Sequence, residues 1–77
     1  MARVYLLVKT ESGMENKVFE ALKTLPYVKS ADIVTGPVDV VAVFEADSLN
    51  KIEDFILEKV RKLEGIRETT TLISLTS

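Results

Sequence analysis

The sequence predicts an α+β fold in which the elements follow the order β-α-β-β-α-β within a single domain, residues 1–77. Three observations predict it. Runs rich in β-branched residues indicate strands, two stripes of apolar residues at helical spacing indicate amphipathic helices, and the two halves of the chain repeat one plan. A chain of 77 residues without cysteine has room for one domain and cannot form a disulfide framework.

Capping and turn residues set the bounds of the predicted elements. Ser12 and Glu15 have the spacing of a capping box ahead of the first helix. Asp47 or Ser48 can cap the second helix, and Gly65 stands where a left-handed residue commonly ends one. The predicted elements are a strand over 3–9, a helix over 13–25, a strand over 27–35, a strand over 38–44, a helix between 48 and 65, and a strand over 66–76.

Two right-handed crossovers around a central hairpin predict a ferredoxin-like sandwich, with antiparallel sheet order 4-1-3-2 and both helices on one face. The central first and third strands are apolar on both faces, whereas the strands of a sheet with one face in solvent should alternate apolar and polar residues. Tyr5, Leu7, Val41 and Val43 would face away from the helices, where burying each is worth about 1.5–3 kcal/mol. We therefore expect a second copy to pack face to face on this sheet as a dimeric alpha-beta barrel, although strand propensity alone would also favour such a pattern.

Composition excludes several classes of function. No His or Cys is present, so imidazole-based triads and Cys-based zinc sites are impossible, and we expect no metal, no cofactor and no catalytic activity. A formal net charge of −2 gives no general attraction to nucleic acid, and the one basic cluster, Lys59–Lys62, is typical of a solvated helix face. No apolar run approaches the roughly 20 residues of a membrane span, and no signal-peptide plan is present, so we expect a cytoplasmic protein.

Two groups of polar residues are candidates for binding a ligand. Asp39 follows the Gly36-Pro37 turn at the start of an apolar strand, where its carboxylate can accept hydrogen bonds from an ammonium group or simply close the turn. Thr69–Thr71 form a row of hydroxyls that can donate to a carboxylate, although threonine also suits an exposed strand.

Three stretches carry a resemblance to a known family: Pro26–Ala31, Val34–Val41 and Leu63–Thr71. The second reads V-T-G-P-V-D-V-V and the third reads L-E-G-I-R-E-T-T-T. Together they are similar to the effector-binding (RAM) domain of the Lrp/AsnC family of leucine-responsive and feast/famine transcription regulators, over nearly the whole chain. That family usually has an aromatic residue where Val38 stands. Its members also carry a helix-turn-helix that this sequence does not contain, so the chain resembles a stand-alone effector domain.

The resemblance implies a ferredoxin-like fold, dimers formed through the sheets, and further assembly, often into four dimers. It also implies that a small effector, commonly an amino acid, binds between dimers near the turn between the second and third strands and near the fourth strand. The ligand-binding residues predicted on that pattern are Thr35, Gly36, Val38, Asp39, Thr69 and Thr71.

In that site Asp39 would accept hydrogen bonds from the ligand's ammonium group, while the Gly36 N–H and the threonine hydroxyls would donate to its carboxylate. The chain would then be an amino-acid sensor that influences transcription by assembling with a full-length Lrp/AsnC regulator, without touching DNA itself. The alternatives are an ACT-like regulatory domain and a small dimeric ferredoxin-like enzyme of the monooxygenase or isomerase kind.

Overall fold

The elements follow the predicted order in the computed structural model, which describes all 77 residues. They are strand β1 (Ala2–Thr10), helix α1 (Glu15–Lys23), strand β2 (Val28–Ile33), strand β3 (Val40–Ala46), helix α2 (Leu49–Phe55), a π-helical turn here called π1 (Ile56–Val60), and strand β4 (Ile66–Ile73). The sheet is antiparallel throughout, with the order β2-β3-β1-β4. This is the predicted order 4-1-3-2 viewed from the other edge, so the ferredoxin-like prediction is confirmed.

The hydrophobic core lies between the helices and one face of the sheet. Alternate residues of β1 and β3 point into it, and most of them are fully buried because these two strands are central and the helices cover them. The twelve buried apolar residues are Val4, Leu6, Val8, Val18, Leu22, Val40, Ala42, Phe44, Ala46, Ile52, Ile56 and Val60.

The opposite face of the sheet, here called the open face, has no helix on it. Tyr5 pairs with Val43, and Leu7 pairs with Val41, so the four predicted interface residues lie together across β1 and β3, and all are half-buried. Leu72 of β4 pairs with Tyr5 and is 47% exposed, which extends the apolar patch toward the sheet edge.

Charged residues border the apolar patch of the open face. At one end the Arg3 Nε donates to Glu45 Oε2 at 2.7 Å, and the Lys29 Nζ lies 3.4 Å from Glu45 Oε1. The Arg3 guanidinium, through this hydrogen bond, lowers the pKa of the Glu45 carboxyl below its ordinary value. The patch therefore has an apolar centre and a cluster of ion pairs at one end.

The predicted capping box of α1 is wrong. Met14 occupies the N-cap position, and no side chain caps the helix. Ser12 lies in a tight turn ahead of the cap, where the Met14 N–H donates to the Glu11 carbonyl and Gly13 adopts a φ of +80°. The hydroxyl is therefore too early in the chain to reach the first free amides of the helix.

The second helix begins as predicted and ends differently. The Ser48 Oγ accepts from the Lys51 N–H at 3.3 Å, as expected for an N-cap residue. Its buried residues, Ile52, Ile56 and Val60, recur at intervals of four, which drift steadily around an α-helix of 3.6 residues per turn. In π1 the Ile56 carbonyl accepts from the N–H of Arg61, five residues on, which makes this turn wider than an α-helical one. The wider turn offsets the drift, so Val60 still faces the core.

Candidate functional site

Asp39 connects the turn between β2 and β3 to the end of β1. Its Oδ2 accepts from the Thr10 N–H at 2.9 Å and from the Thr10 Oγ1 at 3.3 Å, while its own N–H donates to the Val8 carbonyl. Thr10 is the one polar residue buried in the core layer, at 7% exposure. The carboxylate therefore closes the turn, which is one of the two roles that the sequence left open.

The second oxygen of the Asp39 carboxylate has no partner within the chain. No hydrogen bond in the chain uses Oδ1, and no buried polar side-chain atom is left unpaired, so this oxygen is in contact with solvent. In the same turn Thr35 and Gly36 are exposed, and the Gly36 N–H donates to nothing within the chain. Val38 is half-buried beside Asp39. The turn thus offers one fixed acceptor and a free donor.

The threonines of β4 divide between the two faces of the sheet. Thr69 pairs with Val8 and Thr71 pairs with Leu6, which places both on the side of the helices, whereas Thr70 pairs with Leu7 on the open face. Strand β1 separates β4 from β3, so Thr69 lies two strand spacings, about 10 Å, from the start of β3. Within one chain the structure does not bring Thr69 and Thr71 into hydrogen-bond contact with Asp39.

A cavity of about 500 Å³ lies between π1 and β4. Thr69 and Thr71 line it, whereas Thr35, Gly36, Val38 and Asp39 do not. Its remaining lining residues are Glu53, Ile56, Leu57, Arg61, Ile66, Arg67 and Glu68. Sequence reasoning missed these residues and assigned Arg61 to a solvated helix face, because only the folded chain brings the end of α2 beside β4.

The charged side chains of this cavity have no ionic partners. Five ion pairs form in the chain, and none of them includes Glu53, Arg61, Arg67 or Glu68. Glu68 pairs with Lys9, which lies on the open face, so its carboxylate points away from the helix side; Glu53, Arg61 and Arg67 are the other charged residues of the lining. No cluster of three or more His, Cys, Asp or Glu residues is suitable for a metal ion, and no helix is long and apolar enough to cross a membrane.

The family model of the Lrp/AsnC ligand-binding domain matches residues 3–77, nearly the whole chain. The chain belongs to this family. An uncharacterised HTH-type transcriptional regulator of Pyrococcus abyssi is 40% identical over 69 residues, which cover 90% of this chain. They cover only 44% of the regulator, so this domain spans less than half the length of that relative.

Solved structures share the fold of this Lrp/AsnC domain. A hypothetical protein from Pyrococcus horikoshii is 36% identical with a TM-score of 0.91, and the match covers 100% of this chain and 93% of that one. A Neisseria meningitidis transcriptional regulator, solved as a complex with L-Met, is 18% identical with a TM-score of 0.83. That match covers 96% of this chain and 49% of the regulator. At this low identity it shows the shared fold alone.

Proposed function

We propose that this Lrp/AsnC ligand-binding domain is an amino-acid sensor that assembles through its sheet and influences transcription by joining full-length Lrp/AsnC regulators. The observation that carries the proposal is the Asp39 carboxylate, which Thr10 holds in place through one oxygen while the other stays free in an exposed turn. A fixed carboxylate is a suitable acceptor for the ammonium group of an amino acid. The Neisseria meningitidis regulator bound to L-Met supports the ligand class.

The predicted residue set requires two subunits to act on one ligand. Within one chain, β1 and its fully buried Val8 lie between the start of β3 and Thr69, so a small ligand on Asp39 does not contact the threonines of the same β4. A turn from one subunit and a β4 strand from another could lie close enough. The geometry calls for two subunits, and the family resemblance implies that they belong to different dimers. We therefore propose that Thr35, Gly36, Val38 and Asp39 of one subunit and Thr69 and Thr71 of another form the site between dimers.

Dimer formation through the open face supports this arrangement. Tyr5, Leu7, Val41 and Val43 form a continuous apolar patch with charged residues at its rim, which is the usual anatomy of a protein interface. These four side chains are already half-buried, so covering what remains exposed is worth at most about a third of the value for four exposed ones, roughly 2–4 kcal/mol. We propose a homodimer that assembles further, with four dimers as the expected ring.

The non-enzymatic function is part of the same proposal. The family match is to a ligand-binding domain, and the relative from Pyrococcus abyssi is named as a transcriptional regulator. These matches favour the sensor over the ACT-like domain and over the small monooxygenase or isomerase. An assay that detected turnover of a small carbonyl or phenolic substrate would reverse this preference.

The test is light scattering on a sizing column, with and without a pool of the twenty amino acids at millimolar concentration. We expect a mass of at least a dimer that shifts with the pool, and division of the pool then identifies the ligand. Asp39→Asn should abolish the shift, because it removes the charge that pairs with ammonium while its amide oxygen can still accept from Thr10.

The matched control is Asp54→Asn, which alters an exposed carboxylate on α2 outside the turn and the cavity. It should leave the mass shift intact. A multimer whose mass does not change with any amino acid contradicts the sensor proposal. A mass shift that survives in Asp39→Asn contradicts the assignment of the ammonium acceptor.

A further inference from the structure

We propose that a β-bulge between the end of β1 and the start of β4 couples the two halves of the sensor site within each subunit, so that ligands bind cooperatively around the assembly. The proposal rests on the proposed function, in which the turn of one subunit and the β4 threonines of another share a ligand. Each subunit then contributes its turn to one site and its β4 to a neighbouring site. A structural link between its own turn and its own β4 therefore links two ligands.

On one side, the end of β1 is held by the turn through Asp39. The Asp39 Oδ2 accepts from the Thr10 N–H at 2.9 Å and from the Thr10 hydroxyl at 3.3 Å. The Asp39 N–H donates to the Val8 carbonyl, also at 2.9 Å. Thr10 is only 7% exposed, so its two donors are largely shielded from solvent. The position of the last residues of β1 therefore depends on the Asp39 carboxylate.

On the other side, the same end of β1 lies against the bulge. Lys9 pairs with Glu68 but Thr10 pairs with Ile66, which leaves Arg67 as the extra residue of β4. Bulges interrupt the ladder of hydrogen bonds, redirect side chains and are over-represented beside functional sites. Thr10 is thus the residue that contacts both the turn and the bulge.

The bulge has a regular alternative, and the two differ in which residue lies beside the β4 threonines. Ile66 now stands opposite the buried Thr10, and it lines the helix side of the strand together with Thr69. Without the bulge Thr10 would pair with Arg67, and Ile66 would turn to the other face, because side chains alternate along a strand. The register therefore decides whether an isoleucine or an arginine is the next residue on the face of Thr69.

Both halves of the sensor site influence this choice of register. An ammonium group on the free oxygen of Asp39 shares the charge of the carboxylate, which weakens the hydrogen bonds that hold Thr10 opposite Ile66. A ligand carboxylate on Thr69 binds more tightly when the guanidinium of Arg67 is its neighbour. The two binding events favour the same regular register, so each makes the other more favourable.

The first test follows the register without any ligand, by NMR of the full 77-residue chain. Cross-strand nuclear Overhauser contacts of Thr10 with Ile66 report the bulge, and contacts with Arg67 report the regular register. Asp39→Asn removes the charge of the acceptor and weakens its hold on Thr10, so contacts between Thr10 and Arg67 should appear. The matched control is Asp32→Asn, at an exposed carboxylate of β2 outside every ion pair, which should retain the bulge alone.

The second test measures the coupling by calorimetric titration with L-methionine, the amino acid bound in the Neisseria meningitidis regulator. The unmodified chain should give a Hill coefficient above one. Thr10→Val removes the hydroxyl that donates to Asp39, so the Hill coefficient should fall close to one. The first ligand should then bind up to about tenfold more tightly, because less free energy holds the bulge. Thr10→Ser keeps the hydroxyl and should keep the cooperativity.

The outcomes separate this proposal from the sensor proposal. A Hill coefficient of one in the unmodified chain, or a higher one that is unchanged in Thr10→Val, overturns the coupling and leaves the sensor site standing. An unchanged register in Asp39→Asn overturns it whether or not L-methionine binds. A chain that responds to no amino acid contradicts the sensor proposal, and a change of register in Asp39→Asn that is absent from Asp32→Asn still supports the link through Thr10.

Discussion

Gly65 is the glycine at which an added side chain would be most strongly destabilising. Its φ is +94°, and a Cβ there would lie 3.0 Å from Met14 Cβ and 3.0 Å from Val18 Cγ2. We expect Gly65→Ala to lower the free energy of unfolding by about 2–4 kcal/mol, combining the left-handed backbone with overpacking. Urea unfolding followed by circular dichroism measures this.

Gly13→Ala is the matched control for that prediction. Gly13 is also left-handed, with a φ of +80°, but nothing lies within 4 Å of the Cβ that alanine would add. Only the backbone cost of about 1–2 kcal/mol should appear. Equal losses in the two variants would show that the contacts with Met14 and Val18 relax freely.

Asp39 has a structural role that complicates its use as a binding residue. Two hydrogen bonds from Thr10 end on its Oδ2, so Asp39→Ala should lower the free energy of unfolding by about 1–3 kcal/mol. Asp39→Asn should lower it less, because an amide oxygen can replace that acceptor. Urea midpoints compare the two variants, and Thr10→Val should reduce the difference between them. A difference unaffected by Thr10→Val would contradict the assigned role.

At the scale of elements, the ion pair between β1 and β3 makes stability depend on pH. The pKa of Glu45 is lowered by its hydrogen bond with Arg3, so the folded state is favoured while Glu45 is ionised. That stabilisation is present above the ordinary pKa of a glutamate and is lost as the pH falls through the lowered one, from about pH 5 downward.

Glu45→Gln tests this dependence. The variant should be less stable than the unmodified chain at pH 7, and the difference should shrink as the pH falls from about 5 to 3. Urea midpoints over that range measure it, with Glu20→Gln as the control at an exposed pair on α1. A difference that stays constant with pH would exclude Glu45 as the titrating group.

The local patterns of the sequence predicted the elements and their order, but not the irregularities within them. Alternating and helical spacing depend on neighbours in the chain, so β1 and the buried stripe of α2 could be found. The π1 turn and the bulge at Arg67 depend on how α2 and β4 fit the finished core. Likewise Tyr27 has a φ of 71°, and its ring packs edge-on against the ring of Phe55, with the two ring centroids 5.3 Å apart. No local pattern in the sequence identifies Phe55 as its partner.

At the scale of the whole molecule, the candidate site was only partly predictable. The turn of Gly36 and Asp39 forms a local motif, and the structure places a free carboxylate oxygen and a free N–H there. The contact of Asp39 with Thr10 spans 29 residues of sequence and had no local signal. The cavity was not predicted, since its two walls meet only through tertiary packing.

The proposed dimer depends on the open face. Val43 lies in its centre, opposite Tyr5, and a lysine there would place a charge in the apolar patch. We expect Val43→Lys to be a folded monomer at micromolar concentration, and we expect the unmodified chain to have at least the mass of a dimer. Light scattering on a sizing column measures the mass, and far-ultraviolet circular dichroism checks the fold.

Ile33→Lys is the matched control for Val43→Lys. Ile33 pairs with Val40 on the helix side of edge strand β2 and is 43% exposed, so the same substitution there leaves the open face unchanged. It should retain at least the dimer. Because the proposed sensor site needs two subunits, Val43→Lys should also lose any response to amino acids at the turn. A dimer that persists in Val43→Lys would place the interface on another surface.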